Sequence, residues 1–192
     1  MKTRNQRAGI ALIAKAIVLG VGLGSTVVLR LARLFPNNDP IMAVVLPCAK
    51  RDRTAAFVFP VLAMVVFDFV SHRVGVWTAV TAGTYGFLGL GFSYLYAHLA
   101  RCGRKVGRMA FLASGAAGVV LFDFVTGPIM SSLIFDMPFT QAFMGQIPFT
   151  ARHLASVSVY ALAISPLLDW SLGRLETLQI MVLRRLEAAK AK

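Results

Sequence analysis

Long apolar runs fill most of this chain, and short basic or proline-containing segments separate them. A helical run of about 20 apolar residues matches the hydrocarbon thickness of a bilayer. The 192 residues are 57% hydrophobic and only 15% charged, which leaves too much apolar surface for a water-soluble domain of this length. The chain is therefore predicted to be an all-α, polytopic integral membrane helical bundle.

These runs predict about six transmembrane helices. Their expected ranges are Ile10–Leu34, Pro40–Ala49, Thr54–Val70, Val76–Leu99, Met109–Val125 and Thr150–Ser171. The first run follows basic residues, as in a signal peptide, but it continues past Gly24 without a small-residue cleavage site, so we expect a retained span. The second run reaches only about 15 Å as a helix, so it is either a full crossing or a short buried or re-entrant segment.

The basic residues indicate the orientation of the bundle. If the second run crosses, 16 of the 20 Lys and Arg residues lie on one side, and only Arg30, Arg33, Arg73 and Arg152 lie on the other. The positive-inside rule assigns the basic side to the cytoplasm, so both termini are expected there, with the chain in the inner (cytoplasmic) membrane as a multi-pass protein. No basic face with interleaved aromatic residues occurs, so no nucleic-acid partner is expected.

The chain is divided into two parts by this interpretation. Residues 1–172 are expected to form the transmembrane bundle, and residues 173–192 a cytoplasmic, amphipathic, basic tail. In the tail, leucines alternate with arginines at helical spacing. Such a helix lies at the membrane surface, so membrane lipid is its expected partner.

The tetrapeptide "FDFV" occurs twice, at 67–70 and at 122–125. It puts Asp68 and Asp123 at the expected outer ends of the third and fifth spans. A carboxylate is costly near hydrocarbon, and the C-terminus of a helix disfavours an anion. Either both side chains reach the water interface and cap a neighbouring turn, or they line one outward-facing polar cavity. His72 or Arg73 is an expected partner for Asp68, whereas nothing local pairs with Asp123.

Further polar and aromatic residues are expected near the same cavity. Asp39–Pro40 is a typical helix start with aspartate as N-cap, so Asp39 is interpreted as structural. The segment "MPFTQAFMGQIPF" at 137–149 is expected to form an aromatic lid over the cavity or a surface loop. The substrate-binding candidates are Asn37, Asn38, Asp68, Trp77, Tyr85, Asp123, Gln146, Phe149 and Tyr160.

Catalytic and metal-binding motifs are not found in the sequence. There is no zinc-protease, serine-hydrolase or phosphate-loop motif, so the chain is not expected to be an enzyme or to hold a cofactor or a metal. A metal site built from His72, His153 and the outer aspartates is the alternative. Separately, Ala16, Gly20 and Gly24 recur every four residues, which is typical of close helix approach in lipid. This face is expected to contact a partner protein, or else to pack inside the bundle.

Several stretches resemble the substrate-binding S-component family of energy-coupling factor (ECF) transporters. They are "PNNDPIMAVVLPCA", "GVWTAVTAGTYGFLGL", "FLASGAAGVVLFDFVTG" and "AFMGQIPFTARHLASVSVY", which together fall within residues 35–160. The resemblance implies a six-span subunit that captures a vitamin-like micronutrient at the outer face. It also implies partners, namely an ECF transmembrane (T) subunit and two ATPase subunits, with the Ala16, Gly20 and Gly24 face in contact with the T subunit. Lys15 beside that face departs from the family pattern.

Two other functions are compatible with the sequence. The chain is alternatively a non-transporting membrane scaffold or assembly protein that uses the same small-residue helix face. The third alternative is an intramembrane enzyme in which Asp68 and Asp123 act as acid and base, which requires the two carboxylates to lie close together.

Overall fold

The computed structural model describes Gly20, residues 22–32 and residues 39–190, with side chains up to 178 and at 180 and 181. Every regular element in this part of the chain is helical. The helices are α1 (Gly22–Leu31), α2 (Pro40–Arg51), α3 (Arg53–Val70), α4 (Val76–Arg101), α5 (Arg108–Phe124), α6 (Met130–Phe135) and α7 (Phe139–Lys190), with a π-helical turn at Val125–Ile129 between α5 and α6. The prediction of an all-α fold is confirmed.

The short helix α2 lies at the centre of the bundle. Nine of its 12 residues are buried, including Ile41, Val45 and Leu46, and it packs against α3, α4, α5 and α7. A helix that is apolar on all sides needs such a surrounding, because each of its faces must contact another apolar surface. Its N-terminus at Pro40 and its C-terminus at Arg51 mark two opposite ends of the bundle, which we call the Asp39 end and the Lys50 end.

Helices α3 and α4 approach each other closely at glycines of α4. A Cβ atom added to Gly89 would overlap the backbone carbonyl oxygen of Ala56 on α3, and one added to Gly86 would lie 2.8 Å from Val61 Cγ2. These glycines therefore set the separation of the two helices, since any larger residue at 89 would meet backbone rather than a movable side chain. The apolar core beneath this contact includes Phe59, Met64 and Phe92.

The sequence predicted that the fifth span ends at Val125. In the structure, the helix that begins at Arg108 continues past this residue to Phe135 through the π-helical turn. Pro128 lies inside that turn, where the wider backbone tolerates a residue without an N–H group. Asp123 therefore lies within a longer helical stretch and not at a helix C-terminus. The argument that the helix dipole disfavours its charge does not apply.

The last helix is also longer than predicted. α7 has 52 residues and contains Pro148 and Pro166. All but the first two residues of the expected lid or loop at 137–149 therefore belong to the start of α7, and no break separates residues 172 and 173. At its start, the stacked rings of Phe139 and Phe143 lie edge-on to Phe124 at the end of α5, with centroids 6.2 and 6.5 Å away. These aromatic contacts hold the beginning of α7 against α5.

Much of the bundle surface is apolar. Phe69, Phe87 and Leu133 are each about 70% exposed, and Met144 is 66% exposed. Three helical stretches are long and apolar enough to cross a membrane, namely Arg53–Val70, Arg108–Phe135 and Phe139–Leu178, whereas Gly22–Leu31 is shorter. Exposed apolar surface on this scale is typical of a protein whose solvent is lipid, so the chain has the features of a membrane protein.

An ion-pair network joins α2 to α7 at the Lys50 end. Lys50 Nζ lies 2.7 Å from Asp169 Oδ2, and Arg51 Nη2 lies 2.8 Å from Asp169 Oδ1. The other terminal nitrogen of Arg51, Nη1, pairs with Glu176 at 2.5 Å. Because both basic residues follow directly from the buried part of α2, the network fixes the position of that helix along α7.

Candidate functional site

Charged side chains are buried together at the Asp39 end of the bundle. Asp39 is the N-cap of α2, as the sequence predicted, because its Oδ1 accepts a hydrogen bond from the Ile41 amide at 3.1 Å. Its backbone amide donates to Ser156 Oγ of α7 at 3.4 Å. The carboxylate is only 2% exposed, so it needs partners beyond the helix it caps.

His153 connects Asp39 to Asp123. Its Nε2 lies 3.1 Å from Asp39 Oδ2, and its Nδ1 lies 2.9 Å from Asp123 Oδ1. Ionised carboxylates only accept hydrogen bonds, so both ring nitrogens donate and the ring is an imidazolium when the two aspartates are ionised. Two carboxylates thus share one cation in a place where His153 is 4% exposed and Asp123 is 1% exposed.

Tyr85 and two phenylalanines surround this triad. The Tyr85 hydroxyl donates a 2.7 Å hydrogen bond to Asp39 Oδ2, and its ring lies 4.2 Å from that of Phe122. The His153 ring is edge-on to Phe122 and to Phe149, with centroids 6.1 and 5.9 Å away. These aromatic rings exclude water from the carboxylates and strengthen their electrostatic interactions.

Arg30 of α1 supplies a second cation. Its Nη1 lies 3.9 Å from Asp39 Oδ1, and its guanidinium lies 4.6 Å above the Phe67 ring. With Arg30 and a charged His153, two cations balance the carboxylates of Asp39 and Asp123. We call these four residues together with Tyr85 the buried polar cluster.

Hydrogen bonding in the buried polar cluster is incomplete. Within the described part of the chain, Asp123 Oδ2 and Arg30 Nη1 are buried without a hydrogen-bond partner. Buried polar atoms are nearly always hydrogen-bonded in folded proteins, and leaving one without a partner costs about 1–3 kcal/mol. One acceptor and one donor are therefore available to a bound molecule.

Three of the predicted substrate-binding residues lie in or against this cluster. Tyr85 and Asp123 belong to it, and Phe149, which is 42% exposed, contacts His153 at its border. Tyr160 is buried on the same face of α7, two turns further along. The Gln146 side chain packs over Gly127 of the π-helical turn.

Asp68 and Trp77 have other surroundings. Asp68 accepts a 2.6 Å hydrogen bond from Thr78 Oγ1, so it connects the end of α3 to the start of α4. Trp77 packs against Phe135, with ring centroids 6.0 Å apart. The two "FDFV" aspartates thus have different hydrogen-bond partners, and their pairing as acid and base has no support in these contacts.

Some predicted residues lie outside the described part of the chain or have no described contact. Asn37, Asn38 and Ala16 lie outside it. Gly20 and Gly24 are exposed, and a Cβ added to either would have no heavy atom of the described residues within 4 Å. Nothing in the described part of the chain therefore packs against these two glycines.

Sequence reasoning did not find the central residue of the site. The sequence suggested His153 only as a metal ligand together with the outer aspartates, and Asp39 was interpreted as structural. Among the residues that the structure describes, no group of three His, Cys, Asp or Glu side chains is arranged to hold a metal ion. His153 and Arg30, which lie inside predicted spans, were the available signals, because ionisable residues within membrane spans are rarely without a function.

The chain was also compared with known proteins. No protein-family model matches it, and no curated protein or solved structure is significantly similar to it.

Proposed function

We propose that this chain is a membrane-embedded substrate-binding subunit of the ECF S-component type, with the buried polar cluster as its recognition site. The observation that carries the proposal is the buried Asp123 Oδ2, which has no partner in the described part of the chain although the other oxygen of the same carboxylate contacts His153. A buried acceptor without a hydrogen-bond partner does not stabilise an apolar bundle, whereas a binding protein uses such an acceptor to recognise its ligand.

The free hydrogen-bonding atoms define the ligand class. Asp123 Oδ2 favours an N–H or O–H donor, Arg30 Nη1 favours an acceptor, and the neighbouring rings of Phe149 and Phe122 favour a flat molecule. A small heterocyclic micronutrient with amide-like edges has all three properties. The ligand binds without a chemical step, so this is a binding role and not an enzymatic one.

The orientation follows from charge. The proposed bundle has about six spans in the inner membrane, with the buried polar cluster toward the outer face and the Lys50 end toward the cytoplasm, where basic residues concentrate. The chain carries no phosphate-binding loop. Accumulation of the ligand then depends on a T subunit and two ATPase subunits, and the open Gly20 and Gly24 face is the proposed contact for the T subunit.

Native mass spectrometry of protein purified gently from its own host tests this role. We expect one small molecule per chain in the wild type, and at least a tenfold lower occupancy in Tyr85→Phe, because that change removes the hydroxyl that holds Asp39 in place. Tyr94→Phe is the matched control, since Tyr94 lies on the same helix and is 54% exposed. Equal occupancy in both variants, or a wild type without any small molecule, would contradict the proposal.

The second candidate function is a membrane scaffold, and the exposed face of α1 favours it. In that case Gly20→Leu and Gly24→Leu abolish co-purification of a partner membrane protein, because leucine side chains prevent close helix contact. Gly91→Leu, which also has no neighbouring atom within 4 Å, is the control. A scaffold releases no small molecule from the wild type or from any variant. The binding subunit releases one from the wild type and loses it in Tyr85→Phe, which separates the two functions.

A further inference from the structure

A second polar region lies at the Lys50 end, about one length of α2 away from the buried polar cluster. A cavity of about 660 Å³ opens there between the end of α2, the start of α3, the end of α4 and the turn that follows α4. Its volume lies within the range of sites that bind small molecules or head groups.

The wall of this cavity is cationic. Five of its lining residues are basic and one, Asp52, is acidic; the basic ones are Lys50, Arg51, Arg53, Arg104 and Lys105. Asp169 and Glu176, which pair with Lys50 and Arg51, are the other carboxylates in the network. Among the residues that the structure describes, these five cations outnumber the three carboxylates by two.

The turn after α4 holds two of these cations in place. Gly103, with φ of +71°, allows the helix to end in a Schellman motif, in which the Arg104 amide donates to Leu99 O at 2.9 Å. The turn is attached to α2, because Lys50 Nζ donates to Val106 O at 3.1 Å. Neither Arg104 nor Lys105 forms an ion pair with any residue that the structure describes.

Hydrogen-bond donors without partners lie among the lining residues. Ser93 is 2% exposed, and its Oγ has no hydrogen-bond partner in the described residues. The Nε of Arg51 is likewise buried without a partner, although both terminal nitrogens of the same guanidinium are paired. The Tyr96 hydroxyl is a third lining group that is buried without a partner in the described residues. Three unsatisfied donors, together with two cations that form no ion pair there, favour a ligand that is anionic and rich in acceptors.

We propose that this cavity binds a phosphate group. Phosphate oxygens accept several hydrogen bonds at once, and they carry the negative charge that would pair with Arg104 and Lys105. Two sources offer this chemistry, the head group of an anionic phospholipid and a soluble phosphate compound. The site is separate from the buried polar cluster and does not depend on the function proposed for that cluster.

Calorimetric titration of the full chain in a neutral detergent tests the site, with dioctanoyl phosphatidylglycerol and inorganic phosphate as separate probes. We expect one saturable equivalent of at least one probe. The double substitution Arg104→Gln with Lys105→Gln should weaken binding at least tenfold, and Ser93→Ala should weaken it severalfold. Saturable binding of the lipid alone identifies a head-group site, whereas binding of inorganic phosphate identifies a site for soluble phosphate compounds.

The control removes the same charge from neighbouring positions. Arg101→Gln with Arg108→Gln takes two cations from the flanks of the same turn, but neither residue lines this cavity. We expect less than a twofold change in this variant. Equal weakening in both double variants would show general attraction to a basic surface and overturn the proposal, as would the absence of saturable binding of either probe.

Discussion

His153→Ala is expected to destabilise the protein by about 3–5 kcal/mol, because it leaves two buried carboxylates without the cation they share. Asp123 would lose its only described hydrogen-bond partner, while Asp39 would keep those from Tyr85 and the Ile41 amide. For a chain of this length the loss corresponds to a fall of roughly 6–20 °C in the unfolding midpoint. Thermal unfolding in detergent, followed by circular dichroism, measures it.

A second substitution separates lost charge balance from lost packing. In the His153→Ala background, Asp123→Asn removes the carboxylate that has been left alone, so the double variant should be no less stable than His153→Ala. His98→Ala is the control, because His98 is exposed near the end of α4 and its loss should change stability by less than about 0.5 kcal/mol. If His153→Ala were as stable as His98→Ala, the charges at the Asp39 end would not be coupled as described.

Gly89→Ala is expected to cost about 3 kcal/mol or more, although it adds a single methyl group. That methyl group would overlap the carbonyl oxygen of Ala56, and a backbone atom cannot rotate aside as a side chain can. Helices α3 and α4 would have to separate along their interface. The unfolding midpoint of the purified variant, measured under the same conditions as for His153→Ala, gives the size of the effect.

Gly91→Ala provides the matched comparison on the same helix. A Cβ at this position would have no heavy atom within 4 Å, so only the intrinsic preference of alanine for helix remains. We expect no loss of stability, and a gain of up to about 1 kcal/mol. Equal destabilisation by both substitutions would mean that flexibility of glycine, and not the close approach of α3, explains the effect.

The helix boundaries that the sequence predicted well are those with local chemical signals. The third span was expected at Thr54–Val70 and α3 is Arg53–Val70, and the fourth was expected to begin at Val76, where α4 begins. Asp39 caps α2 as predicted, because an aspartate before a proline needs no distant partner to start a helix.

The boundaries that were wrong depend on context. The fifth span was expected to end at Val125 and the sixth to begin at Thr150, yet Pro128 and Pro148, which lie between these positions, are inside helical segments. Neighbouring helices and local widening of the backbone satisfy the groups that a proline leaves free in an apolar bundle. The sequence shows where the prolines are, but it does not show which helices pack against them.

The sequence by itself determined that this chain is helical, that it is too apolar for water, and that Tyr85 and Asp123 are polar residues placed where burial makes them costly. These properties follow from composition and from the short-range pattern of residues. Only the tertiary structure decided that His153 brings Asp39 and Asp123 together, since these contacts span 114 and 30 residues of chain. Neither the periodicity nor the spacing of residues predicts contacts over such distances in the chain, because the packing of whole helices determines which buried charges become neighbours.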